Sequence, residues 1–208
     1  MNFKTLFSIT PEWKASTSKI FFGILVYVFA GIVASILSPV ADLLDTGASL
    51  ANLVNGGGST PTGIVVLNWI VRILNLGIIA AIVVIYFGLL GMEKTVEGSD
   101  KKAVGQLKLA FILSAVAFFV GLFWDFGESI LNIIAFIFMF IGYSGLKKST
   151  TLSELAKKGA SLNYVAAILA IVGFCVGIIP FVGGIIEAGL VVVAYILTFV
   201  GWGKIKNA

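Results

Sequence analysis

Arg72 is the single arginine of this 208-residue chain, and it stands inside an apolar run that otherwise reads as a membrane helix. Asn68, Arg72 and Asn75 are spaced i, i+4, i+7 and so share one helix face. Asp125, Glu128 and Asn132, spaced i, i+3, i+7, share a face of a later helix. Glu187 precedes Gly201 by the same interval as Glu128 precedes Gly142. A charge in hydrocarbon is costly and usually pairs or lines a cavity. The economical expectation is one cluster at the outer end of a bundle, in which Arg72 meets Asp125, Glu128 or Glu187. Such a cluster is either a latch that fixes helix register or a solute- or proton-binding site open to the outside. Arg72 lies two residues farther from Gly88 than the glutamates lie from their glycines, about half a circle around a helix. The two glutamates are therefore candidates for equivalence, and Arg72 is not.

Catalysis is the weakest class. The chain has no histidine, which rhomboid-type and lipid-phosphatase chemistry would need, and its one cysteine, Cys175, lies deep in an apolar run. Intramembrane aspartyl chemistry needs two paired carboxylates within the bilayer, whereas Asp125 and Glu128 stand at its edge. No catalytic residue, metal site or cofactor is assigned, and no disulfide is possible within one chain.

The elements that must position the polar cluster come from hydropathy and lysine placement. Mean hydropathy is +1.10, and 59% of residues are hydrophobic. Six apolar runs occur at Ile20–Leu37, Ile64–Leu90, Leu109–Trp124, Ile130–Gly145, Leu162–Ile179 and Gly183–Trp202. Each approximates the roughly 20 residues that one membrane crossing needs. The gaps alternate in charge. Every lysine, from Lys4 to Lys206, falls in the N-terminal segment, the second and fourth loops or the tail, and the other loops carry only acidic residues. The positive-inside rule then places both termini in the cytoplasm. The expectation is an all-α integral protein of the cell (inner or plasma) membrane, residues 1–208 forming one polytopic domain whose first span is not cleaved. The lipid bilayer is its main partner. The net charge of +4 is topology signal and needs no nucleic acid. Lys108 is expected to snorkel to the headgroups.

The six spans read as three tandem hairpins. Tyr86-Phe87-Gly88, Phe140-Ile141-Gly142 and Phe199-Val200-Gly201 each end a return helix ahead of lysines. The segment 161–169 aligns with 106–113. Polar lead-ins recur: Thr10-Pro11 as cap and first helical residue, Ser99-Asp100 as a cap, and Thr151-Leu152-Ser153-Glu154 as a capping box. Repeats at 10–92, 96–147 and 151–206 would be parallel copies with pseudo-threefold symmetry about an axis along the membrane normal. The first contains an insertion, 38–63, whose 40–54 part reads as a helix lying in the interface, followed by a flexible 55–61 link. Tyr27, Trp69, Trp124, Tyr143 and Trp202 read as interfacial anchors. The pairs Gly31/Ser35, Gly173/Gly177 and Gly184/Ala188 offer faces for close helix contact.

Two functions fit. The first is a small transporter or channel-like protein whose outer charged cluster binds solute. The second is a non-catalytic membrane subunit or scaffold that assembles with a partner or as a homo-oligomer.

Overall fold

The structure is a computed structural model and describes residues 10–54, 62–177 and 183–208. Lys4, the 55–61 link and most of the outer turn at 180–184 lie outside the described residues. Six helices follow in order: α1 Pro11–Val54, α2 Thr62–Glu93, α3 Gly98–Gly121, α4 Asp125–Lys147, α5 Glu154–Gly177 and α6 Gly183–Lys206. All six contain segments long and apolar enough to cross a membrane. Their outward surface fits lipid, since Phe22, Phe29, Phe87 and Phe119 are all exposed. In water an apolar surface of this extent would aggregate.

Packing is closest within the pairs α1/α2, α3/α4 and α5/α6. Contacts α2/α3, α4/α5 and α1/α6 join the pairs and close the six helices into a ring. Lipid tails are as apolar as leucine, so burial alone does not drive these helices together, and close van der Waals approach must do so. Glycines supply it. A Cβ at Gly88 would press on Ile20, one at Gly142 would lie 2.7 Å from Leu107, and one at Gly201 would collide with the Asn163 amide oxygen. The partner positions in the last two hairpins are thus Leu107 and Asn163. This shifts the 106–113 alignment with 161–169 by one residue.

The lysine-rich end is densely filled. Ile20, Leu89, Met92, Leu107, Leu146, Trp202 and Ile205 are buried there. Tyr143 and Trp202, expected as interfacial anchors, are 3% and 0% exposed. The Trp202 indole N–H donates to the Tyr143 hydroxyl at 3.0 Å. That bond satisfies the polar atoms of both rings inside the core, which is why they need no headgroup. Trp69 and Trp124 do face outward.

Several local expectations change. The 40–54 segment is not a separate interfacial helix, because α1 continues through Pro39 to Val54. Its 44 residues span roughly 66 Å, about twice the hydrocarbon thickness. A proline costs a helix one internal hydrogen bond, and here it does not end the helix. At the other end, Thr10 caps α1 by accepting the Trp13 N–H at 3.2 Å. Ser153, not Thr151, caps α5, accepting the Ala156 N–H at 3.2 Å. Glu154 is then the first helical residue and pairs with Lys157 at 2.6 Å. Lys108 meets Glu93 at the end of α2 instead of reaching for headgroups.

Asp100 does not cap α3 from outside. It lies in the first turn, 1% exposed, behind an N-cap at Glu97. Gly98 takes φ +56° at this entry, a conformation that side-chain-bearing residues rarely adopt. The carboxylate accepts from Ser149 at 2.5 Å and from Thr151. Ser149 in turn accepts the N–H groups of Thr151 and Leu152 at 3.1 and 3.0 Å. Asp100 thus ties the loop between α4 and α5 to the start of α3, at the position where a helix N-terminus favours negative charge.

Candidate functional site

The ring encloses a cavity of about 550 Å3, lined by residues from α1, α3, α4, α5 and α6. Glu128, Ser129 and Asn132 enter it from α4, and Glu187 from α6. Close approach seats both glutamates. A Cβ at Gly121 would collide with the Glu128 carboxylate, and one at Gly177 would collide with that of Glu187. Each carboxylate therefore lies over a glycine of its own hairpin partner, one turn or less from the far end of that helix. Both are half-buried.

Aromatic rings form much of the wall. Tyr27 of α1 and Tyr195 of α6 meet edge to face with centroids 5.6 Å apart. Gly31 leaves room for the Tyr195 ring, which a methyl group there would strike. Phe111, Phe136 and Phe174 add further apolar surface. Toward the lysine-rich end the lining reaches Tyr143, Thr198 and Asn163. Beyond them the packed core of Leu107, Leu146 and Trp202 closes the ring.

Asn163 is the unusual member. It is 1% exposed, and among the described residues neither its Oδ1 nor its Nδ2 has a hydrogen-bond partner. A buried amide without partners costs about 1–3 kcal/mol. The corresponding contacts on Gly88 and Gly142 are made by Ile20 and Leu107, which carry no such cost. The sequence held this signal. Asn163 is the polar exception among three residues that face the return-helix glycines, but a one-residue alignment error hid it.

Arg72 is elsewhere. It shares a separate pocket with Asn68, Trp69 and Asp45, and its guanidinium lies 5.5 Å from the centre of the Trp69 ring. The structure thus brings Glu128, Asn132 and Glu187 to one cavity and Asn68 and Arg72 to another, which corrects the expected pairing of Arg72 with Glu128 or Glu187. The reason is hairpin length. Arg72 lies as far from Gly88 as Phe126 lies from Gly142, level with the α3–α4 turn, where the longer α1/α2 pair projects past its neighbours. Arg72 is exposed there. Asn75 is half-buried on α2 and lines neither pocket. Asp125 begins α4, and its side chain lies outside the described residues.

Among the described residues, no three His, Cys, Asp or Glu side chains come together as a metal site. No family model matches this chain, and no curated protein or solved structure is significantly similar to it.

Proposed function

We propose that the chain is a non-catalytic, multi-pass protein of the cell membrane, and that its central cavity is the solute site of a small transporter or channel-like protein. In this reading the repeats 10–92, 96–147 and 151–206 are parallel hairpins around the cavity, with both termini cytoplasmic. Like glycine contacts in the three pairs support the repeat, as do like glutamate seats in the last two. Lysine placement supports the orientation. The cavity then opens away from the lysine belts and is closed toward them, as expected for one state of an alternating-access cycle.

The observation that carries the proposal is the cavity itself. It combines an apolar, aromatic wall with a few convergent polar groups, the usual make-up of a small-molecule site. A packed scaffold would gain nothing from a void of this size, because lining atoms without neighbours lose dispersion contacts. The test is thiol labelling in a Cys175→Ser background. Asn132→Cys and Thr198→Cys should react in intact cells with a membrane-impermeant reagent. A protein labelled at neither position, although folded and inserted, would contradict a cavity open to that side.

A membrane-subunit reading has its own observation. Gly77, Gly184 and Gly189 face open space, with nothing within 4 Å of an added Cβ. Small residues left open on a lipid-facing helix let a second helix approach closely. Crosslinking between copies at Gly189→Cys would favour assembly as a homo-oligomer, and this is compatible with a solute site in each copy.

A further inference from the structure

We infer that the cavity takes a small organic cation, a protonated amine carried on an apolar or aromatic body. This inference rests on the solute-cavity reading and names the ligand class. Three observations converge on it. First, the charged residues that line the cavity are Glu128 and Glu187, and among the described lining residues none is cationic. The chain's one arginine is held in a different pocket with Asp45. Carboxylates lining a low-dielectric space attract a cation more strongly than they would in water. An anionic solute would be repelled.

Second, the wall is unlike an inorganic cation site. Calcium takes six to eight oxygen ligands, and magnesium keeps a near-ideal octahedron. This cavity instead presents Tyr27, Phe111, Phe136, Phe174 and Tyr195. Aromatic faces attract ammonium groups through the ring quadrupole and accept an apolar body as well. The volume of about 550 Å3 suits a molecule well above the size of a hydrated ion.

Third, Asn163 offers an amide with one acceptor and two donor hydrogens at the deep end, 99% buried and without a protein partner among the described residues. Its polar atoms are covered by packing against Gly201, so a ligand bonds to them only when the side chain turns toward the cavity it borders. A polar group at this depth is what a purely apolar cavity would lack. The ligand is thus amphipathic, with its ammonium nearer Glu128 and Glu187 and a hydrogen-bonding group nearer Asn163.

The test uses the full chain purified in detergent and three probes of one shape: phenethylamine, 2-phenylethanol and phenylacetate. Each is titrated calorimetrically and as a protectant of Thr198→Cys against the thiol reagent. Phenethylamine should bind and protect, with the alcohol and the acid at least about ten-fold weaker, as loss of one charged contact implies. Glu187→Gln and Glu128→Gln should each weaken the amine about ten-fold while leaving the alcohol unchanged. Displacement of phenethylamine by phosphatidylethanolamine, and not by phosphatidylglycerol, assigns the amine to a lipid headgroup. No displacement assigns it to a free solute. Equal binding of acid and amine, or no amine binding to a protein whose Thr198→Cys does react, overturns the cation assignment and leaves the solute cavity standing. Failure of the reagent to reach both Asn132→Cys and Thr198→Cys fails the cavity reading instead.

Discussion

Leu107 on Gly142 and Asn163 on Gly201 make the same kind of contact in neighbouring hairpins, with opposite energetic consequences. The leucine fills its groove with atoms that need no partner. The asparagine fills a groove of like shape with a buried amide that finds none. Packing explains the first residue fully and leaves the second as a cost. The same contrast runs along the bundle axis. The lysine-rich end holds aliphatic side chains and a Tyr143–Trp202 pair with its polar atoms satisfied, while the far end holds glutamates and a void. One end of the ring is built for stability, and the other keeps features that stability alone would remove.

The largest break in this comparison should come from filling a packed groove. Gly142→Leu would drive a Cβ to 2.9 Å from the Ala103 carbonyl oxygen as well as into Leu107. A loss of about 3 kcal/mol is expected, read as a strongly lowered melting temperature in detergent. Gly121→Ala should disturb the Glu128 seat and change amine binding with a smaller thermal effect. Equal thermal losses at both positions would erase the difference between the ends. Next in size is Asp100→Ala, which leaves the Ser149 and Thr151 hydroxyls without their acceptor. It should cost about 2 kcal/mol and increase proteolysis in the 148–153 loop. An unchanged cleavage pattern would show that the carboxylate does not hold that loop.

Smaller effects sharpen the separation of the two pockets. Arg72→Ala and Glu128→Gln should be additive in melting experiments to within about 0.5 kcal/mol, since distant sites without shared partners do not couple. A coupling well above that would restore the latch that the sequence implied. Smallest is Lys108→Ala. Its partly exposed pair with Glu93 should contribute less than about 1 kcal/mol, and that contribution should fall with salt.

Hydropathy made six helices legible because about 20 apolar residues without charges have few soluble alternatives. The glycine contacts were legible as a recurring Gly88, Gly142 and Gly201. Ring closure was not, because lipid-facing and partner-facing residues are equally apolar in the sequence. Neither Tyr143 nor Trp202 could be distinguished from a headgroup anchor until their mutual hydrogen bond was visible. Arg72 misled because the α1/α2 pair is longer than its neighbours, so a polar position on α2 did not share surroundings with those on α4 and α6. Glu128 and Glu187 were found as a pair, and Asn163 was passed over because the alignment set it one residue off the position that faces the return-helix glycine.

The central claim is that Asn163 serves the cavity and not the packing, and thermal unfolding of Asn163→Leu beside Leu107→Asn tests it most directly. Replacing Asn163 by the residue type that sits on Gly142 should raise the melting temperature, by up to the roughly 1–3 kcal/mol that an unpaired amide costs, while Leu107→Asn should lower it. Amine binding should weaken in the stabilised variant and persist in the destabilised one. A fall in melting temperature for Asn163→Leu, similar to that for Leu107→Asn, would show that the amide is a packing element and would contradict the account.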